Sequence, residues 1–541
     1  MVARNIESES FDLVVIGAGI NGAGIARDAA MRGLKVLLLD RGDVCGGTTA
    51  WSTRLVHGGL RYLEYGELGL VRESLRERER LLRIAPHLVK PLPMLIPIYE
   101  RQKRGSLTIR AGMLCYDLLS FDKTLPRHRM LSASETLRRA PGLDSEGLRA
   151  AALYYDAQVE YPERLTLENA LDAQAHGATL LTYTRVGRFE TEGARVKAAH
   201  LTDLMSGTSR RVQASVFVNV GGPWVDEVLG ATDDATFPRL IGGTKGSHIV
   251  TARFEGAPDD ALYVEALEDG RPFFIIPWND LYLIGTTDIR YEGDLDSVKA
   301  DKEEIDYLLR ETNRIIPQAG LTRRSVLYTY SGVRPLPFVA DKTKNAGITR
   351  RHFIHDHSPA FENLLSIVGG KITTYRNLSE QTVNLVFRKL GRDSPACKTA
   401  QTPLPGARTN DWKAFAESFR RERGIDERTA KHLLRVYGTR ASEVLEMAAV
   451  DSELLKRLDA ATGAIRAEVL FAFRREMAAT LADCLLRRTM TGIGPNAGTD
   501  VVEAAASVAR QYLGWNEERA ALEVNSYRDS IARLHTPPAD N

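Results

Sequence analysis

Cysteine is scarce in this chain: four in 541 residues, Cys45, Cys115, Cys397 and Cys484, with no C-x-x-C pair and no histidine at metal-ligand spacing. That excludes a disulfide framework and a zinc-ribbon site; the four read as reduced structural thiols, and no metal is expected. A charge excess is missing too. The formal net charge is only +2, which offers nothing to nucleic acid, so any anion site has to be a local cluster. No uncharged apolar run approaches the roughly 18 residues that a spanning helix needs, which leaves only peripheral attachment to a membrane. The opening stretch Met1-Val-Ala-Arg-Asn-Ile-Glu-Ser-Glu-Ser10 is polar and acidic, which predicts no secretory leader and a cytoplasmic protein. Repeats and low-complexity tracts are absent, and the length suits two or three domains.

What is present starts with Phe11-Asp-Leu-Val-Val-Ile-Gly17-Ala-Gly19-Ile-Asn-Gly22-Ala-Gly24, followed by Val36-Leu-Leu-Leu-Asp40. An apolar β-branched run leads without a gap into three glycines at G-x-G-x-x-G spacing. Gly17 allows the tight turn, Gly19 lets backbone approach a pyrophosphate, and Gly22 lets the helix lie close on the sheet. The spacing predicts a helix over 21–32, its N-terminus aimed at phosphates, with Gly33 as its C-terminal stop. Asp40 stands where an acid accepts a ribose hydroxyl bond and disfavours a 2′-phosphate. This context specifies a dinucleotide, with NAD and FAD both open.

The chain reads as α/β with a later change of character. Leu68 to Leu82 has the pattern of an amphipathic helix. A helix over 166–176 precedes a strand at Thr179, and Val216-Phe-Val-Asn-Val220 is a second buried strand running into Gly221-Gly222. Ser247 to Thr251, Pro272 to Pro277 and Leu281 to Gly285 read as antiparallel strands, the last two joined at Asn279-Asp280. The nucleotide fold resumes at Leu364-Leu-Ser-Ile-Val-Gly369-Gly370-Lys371. The expected division is a discontinuous nucleotide domain (1–90, 150–230, 340–400), a substrate-binding, membrane-facing domain (91–149, 231–339) and, after a linker over 401–410, a helical C-terminal domain (410–541). In the last, Trp412, Phe415 and Phe419 share a helix face, as do Leu470, Phe473, Met477, Leu481 and Cys484.

Four clusters combine glycine with cations or hydroxyls. In Ser52-Thr-Arg54-Leu-Val-His57-Gly-Gly-Leu-Arg61-Tyr62, function is favoured for Arg61 and Tyr62 over a solvated loop and is balanced for Arg54 and His57. Gly242 to Val250 contains Lys245 and His248. Histidine is suited to moving a proton near neutral pH, but a lone one beside apolar strand residues is more often a satisfied core residue. Gly285-Thr286-Thr287-Asp288 could bond a polar ligand or merely cap a turn. Arg334, between Gly332 and Pro335, suits bidentate binding of phosphate or carboxylate, against a salt bridge at a strand end. Lys371 follows a glycine turn and could sit over a cofactor ring or a substrate anion. Together the clusters describe a small anionic substrate beside the dinucleotide. Separately, Leu92 to Tyr99, then Arg101, Lys103 and Arg104, then the mostly apolar helical stretch Leu107 to Phe121, are either buried or dip into a lipid interface.

Gly17-Ala-Gly-Ile-Asn-Gly-Ala-Gly24, His57-Gly-Gly-Leu-Arg-Tyr-Leu63, Lys245-Gly-Ser-His-Ile-Val250, Ile284-Gly-Thr-Thr-Asp288, Tyr330-Ser-Gly-Val-Arg-Pro335 and Gly369-Gly-Lys-Ile-Thr-Thr-Tyr-Arg376, in this order, together resemble the FAD-dependent, respiratory glycerol-3-phosphate dehydrogenase family. The resemblance implies a Rossmann-like FAD domain with an inserted antiparallel-sheet substrate domain of the D-amino-acid-oxidase type. It implies FAD as cofactor, with contacts from Gly17, Gly19, Gly22, Asp40, Thr48, Ser52, Gly222, Gly370, Lys371 and Thr373. It implies oxidation of sn-glycerol 3-phosphate to dihydroxyacetone phosphate, electrons going to a membrane quinone from the inner face of the cell membrane, and it allows a homodimer. Arg334, Arg61 and Tyr62 would hold the phosphate, with Arg350 a weaker candidate; His248 would take the hydroxyl proton; Lys371 and Thr287 would place substrate or flavin. The family's Ser/Thr/Ala-rich run and Ala-Thr-Gly-Pro-Trp strand end are here Gly46-Gly-Thr-Thr-Ala-Trp51 and Val220-Gly-Gly-Pro-Trp224. Competing readings are an oxidase using oxygen, the same fold acting on an amino or hydroxy acid, and a flavin-bound scaffold or sensor without turnover.

Overall fold

The computed structural model describes residues 9–100, 104–232, 237–340, 350–422 and 424–535. Two sheets carry the site. The first is built on Ser10–Ile16, a strand so apolar that Val14, Val15 and Ile16 are all buried, as a strand covered on both faces must be. It pairs in parallel with Val36–Leu39 on one side and Ser209–Asn219 on the other. Thr179–Leu181 and Leu364–Val368 extend the parallel core, and Phe353–Asp356 closes one edge antiparallel. All the strand ends that precede glycine turns therefore lie side by side, and their carboxyl ends make the crevice in which such sheets bind ligands.

The second sheet has ten strands and is mainly antiparallel. Thr244–Thr251 lies between Leu281–Gly285 and Val326–Arg334. Pro272–Trp278 and Leu281–Gly285 form the expected hairpin, and Asn279 and Asp280 both have positive φ (56° and 61°), as a primed two-residue turn requires. Leu148–Val159 also runs in this sheet, so the segment 150–230 contributes strands to both layers. Its neighbour Val89–Tyr99 contains Pro91, Pro93 and Pro97, a composition that argues against an interior strand. It is tolerated because its other flank pairs with only two residues, Ala261 and Leu262.

The helix of the glycine fingerprint spans Ile20–Met31 and ends at Gly33 in the left-handed region (φ 85°). From Trp412 onward the described chain is mainly helical. Trp412, Phe415 and Phe419 stack along one face, as expected. The face expected from Leu470 to Cys484 is not one helix. Helix Ala467–Arg475 stops, Met477 adopts φ 58°, and a capping box between Thr480 and Asp483 restarts the chain. The segment read as a linker is also packed. Leu404, Gly406 and Ala407 are buried, and Gly406 N–H donates to Glu168.

Candidate active site

A cavity of about 920 Å³ runs from the fingerprint turn to the second sheet. At one end the turn is shaped by missing Cβ atoms: a Cβ on Gly22 would stand 1.8 Å from the Gly17 carbonyl oxygen, and one on Gly17, at φ +111°, 2.6 Å from that of Val220. Only glycine lets strand, turn and helix close up this far, which leaves the helix N-terminus facing the cavity. Asp40 lines the same end. Burial raises its pKa, while N–H bonds from Ala18 (2.7 Å) and Gly42 (2.8 Å) oppose that. A carboxylate offers about four acceptor positions, so capacity remains for a ribose hydroxyl.

The other end is set by strand register. His248 stands opposite Tyr330 on one neighbour and Gly285 on the other, and Thr244 opposite Arg334. Side chains at 244, 246 and 248 share a face. Gly246 lies between them, and a Cβ there would meet the Arg334 guanidinium at 2.3 Å. That glycine is what lets Arg334 fold back toward His248.

His248 is buried, its ring 4.8 Å from that of Tyr330, with Nε2 hydrogen-bonded to Thr53 Oγ1 (3.0 Å) and Nδ1 without a partner. Burial, aided by the positive charges of Arg334 and Arg54, pushes its pKa well below the usual histidine range. The imidazole is therefore neutral at physiological pH and able to accept a proton. Arg334 Nη1 donates to Asp288 Oδ1 (3.1 Å) and Arg350 Nη2 to Asp288 Oδ2 (3.0 Å), so one carboxylate holds two guanidinium groups together. Burial opposes the charge on Asp288, but Arg334 and Arg350 outweigh it and keep its pKa below the carboxylate norm.

Of the residues singled out in the sequence, Gly17, Gly19, Asp40, Thr48, Ser52, Arg61, Tyr62, Gly222, His248, Thr287, Arg334, Arg350, Gly370, Lys371 and Thr373 all line this one cavity. Gly22 does not line it but supports its turn. Lys371 lies over the Tyr62 ring (4.4 Å) and donates to Ser74 Oγ (3.3 Å). Thr287 is more committed than expected: its hydroxyl donates to Glu304 (2.6 Å) and accepts from Ser247 N–H (2.9 Å), which makes it a strut of the wall. Lys245 pairs with Glu304 and Asp301 outside the cavity lining. Arg54, balanced in the sequence, is fully buried, bidentate to Glu163 and stacked on Trp278 (4.5 Å); it is a core ion pair. His57 lines the cavity, its N–H donating to Thr373 Oγ1.

Sequence reasoning missed Thr53 as the partner of His248, Asp288 as the bridge between arginines, and Arg271 and Arg351 in the lining. Thr53 and Asp288 lie inside quoted motifs, where a search for hydrogen-bond partners could have raised them; Arg271 and Arg351 carry no local signal. With Arg54 set aside because Glu163 neutralises it, nine lysine and arginine side chains line the cavity against four carboxylates, so it suits a ligand bearing several negative charges. Three buried polar atoms of its lining residues have no partner, Asn21 Oδ1, Arg54 Nε and His248 Nδ1, and of these Asn21 Oδ1 and His248 Nδ1 leave hydrogen-bonding capacity for that ligand. A dinucleotide fits this chemistry; among the described residues no cluster could hold a metal.

Comparison with known proteins agrees. Residues 12–376 match the family described as FAD dependent oxidoreductase, and residues 397–520 the C-terminal domain of alpha-glycerophosphate oxidase. A glycerol-3-phosphate dehydrogenase from Synechocystis sp. is 47% identical, over 98% of each chain. A D-erythritol 1-phosphate dehydrogenase from Brucella abortus is 39% identical over 89% of this chain and 95% of its own. Among solved structures, a glycerol-3-phosphate dehydrogenase from Bacillus halodurans complexed with FAD superposes with a TM-score of 0.79 at 28% identity, covering 99% of this chain and 97% of the other. On fold, site chemistry and these matches, the chain belongs to the FAD-dependent glycerol-3-phosphate dehydrogenase family.

Proposed function

We propose that the protein oxidises sn-glycerol 3-phosphate to dihydroxyacetone phosphate and passes the electrons to a membrane quinone. The observation that carries this reading is the neutral, buried His248 beside the Arg334–Asp288–Arg350 bridge, in a cavity continuous with the dinucleotide turn. Gly17, Gly19, Asp40 and Thr48 would hold FAD, which would supply a hydride acceptor for the secondary carbon. The chain's residues do the rest. Arg334 and Arg350, with Arg61 and Tyr62, take the phosphate in exchange for their bonds to Asp288, which keeps the guanidinium groups gathered until substrate arrives. His248 takes the hydroxyl proton, because an alkoxide is too basic to form alone. Thr53 holds the Nε2 ring nitrogen and so orients the imidazole. Lys371 and the Leu60–Tyr65 turn close the substrate end.

A membrane acceptor is supported by the helix Ser106–Leu119. Met113 and Tyr116 face the core, whereas Leu107 (83% exposed), Leu118 (73%) and Phe121 (77%), with Leu114, face outward. Tyr116 OH, on the core side, accepts from Gly58 N–H (2.9 Å), so the helix is tied to a loop packed beside the cavity. Of the basic neighbours, Arg104 is spent on Glu64 and Glu265, and Arg101 and Lys103 fall outside the described residues. Among the described residues no helix is long and apolar enough to cross a membrane, which suits peripheral attachment at the inner face. The test is to add sn-glycerol 3-phosphate anaerobically to the holoprotein and follow flavin absorbance. Bleaching, then reoxidation by a quinone analogue and only slowly by oxygen, is expected. No bleaching defeats the proposal, and fast reoxidation by oxygen makes the protein an oxidase.

A further inference from the structure

The helical C-terminal domain lies far along the chain from the glycine fingerprint, yet it sends two successive arginines into the FAD domain. Residues Cys484–Arg488 form a π-helical turn, marked by the bond from Thr489 N–H to the Cys484 carbonyl (2.9 Å). Such widened turns are rare and recur at functional sites. In an ordinary α-helix adjacent side chains diverge by about 100°. Here both reach the same carboxylate: Arg487 Nε donates to Asp43 Oδ2 (2.6 Å), and Arg488 donates to Oδ2 (2.5 Å) and Oδ1 (2.8 Å). Asp43 and Arg488 have no exposed side-chain surface. Burial opposes the charge on Asp43, but Arg488 and Arg487 outweigh it and keep the carboxyl ionised.

Asp43 belongs to the loop that leaves Asp40 and leads to Thr48, both of which line the cavity. This loop is tied back to the fingerprint by Cys45 N–H to the Ala18 carbonyl (3.0 Å) and to the first sheet by Tyr183 N–H to the Gly42 carbonyl (2.8 Å). The grip is doubled: Arg487 Nη2 also donates to Asp483 (2.6 Å), which accepts from Tyr183 OH (2.6 Å). Arg487 is the one residue of the C-terminal domain, among those described, that lines the cavity, at the end that includes Asp40, Arg41, Thr184 and Arg185.

We infer that the C-terminal domain is part of the FAD site: the Arg487–Arg488 pair clamps the Asp40–Thr48 loop in its cofactor-binding shape, and Arg487 adds positive charge at the adenosine end of the cavity. Arg488 is a positioning residue acting through Asp43, and Arg487 does the same while facing the ligand space. The inference rests on the FAD-dependent reading of the cavity.

The test uses the full-length holoprotein. Dilution with detection of free-FAD fluorescence yields the FAD Kd, and thermal midpoints with and without excess FAD yield the cofactor's own contribution to stability. Arg487→Met leaves Asp43 paired to Arg488, and buried Asp483 keeps its bonds from Tyr183 OH and from Ala479 and Thr480 N–H, so it lowers stability without leaving either carboxylate unbonded. It is expected to weaken FAD binding about tenfold, through loss of a charge-assisted contact, and to shrink the FAD-dependent rise in midpoint. Arg487→Lys, which restores the charge, is expected to recover most of the affinity. An unchanged Kd in folded Arg487→Met overturns the inference, as does an Arg487→Lys variant equally weak in FAD binding. If Arg487→Met does not fold, Asp43→Asn is read on the same two quantities; failure of both to fold makes the pair a structural strut and also overturns it. Absence of FAD binding by the unaltered protein would instead defeat the flavoprotein reading.

Discussion

Replacing Arg334 by alanine tests the substrate end of the site most sharply, because the structure sets both a binding and an acid–base consequence. A guanidinium has five N–H donors; in Arg334 one is given to Asp288, one to Thr286 Oγ1 and one to the Thr287 carbonyl. Two remain for a phosphate before Asp288 lets go. At about 1.5 kcal/mol for each charge-assisted bond, the loss is about 3 kcal/mol, or roughly a hundredfold. Steady-state kinetics with sn-glycerol 3-phosphate should show it mainly as a raised KM, whereas turnover of glycerol, which has no phosphate, should change little. The second consequence concerns pH. Arg334 is one of three causes that depress the His248 pKa, after burial and ahead of Arg54. Removing it should move the acid limb of the kcat profile upward, though not fully to the ordinary histidine value, since burial persists. The sign follows from the base being active only when neutral: a less depressed pKa means protonation begins at higher pH. An unchanged KM with a collapsed kcat, or an acid limb that moves down, would refute the assignment.

Three further outcomes are expected. His248→Asn should lower kcat by about 10²–10⁴-fold, the range of a positioned general base, with KM little changed; an equal loss in both would make His248 a binding group. Leu114→Ser with Leu118→Ser, both at exposed sites, should leave soluble activity and thermal midpoint intact but abolish flotation with anionic liposomes; unaltered flotation removes this helix from membrane attachment. Arg54→Met strands the buried Glu163 carboxylate, whose partner Arg54 is fully enclosed, and should cost about 3–5 kcal/mol in denaturant unfolding; loss of activity without loss of stability would give Arg54 a direct part in the chemistry.

Legibility in the sequence followed the range of the interactions. The fingerprint, the Asn279-Asp280 hairpin and the later glycine turn were readable because a turn, a strand and a helix start are specified by neighbours within a dozen residues. The helix expected through Met477 failed because apolar spacing continues across a break that only a positive φ and a capping box reveal. The proline-rich strand Val89–Tyr99 was obscured for the opposite reason: local composition argued against it, and nearly full pairing with Leu148–Val159 outweighed that.

The sequence by itself determined that a dinucleotide lies at Gly17 to Gly22 and that cations gather elsewhere in glycine-flanked motifs, because backbone geometry and charge are written in residue type. It could not say which of those cations were locked to fully buried carboxylates. Arg54 and Lys245 carry the same local signature as Arg61 and Arg334, yet Glu163 and Glu304, distant in the chain, take the first two out of the chemistry. Only the tertiary structure chose, since a charge is functional or structural according to what is packed against it. The same holds for His248, whose neutrality comes from burial between strands, and for Asp43, whose partners arrive from a domain more than four hundred residues away.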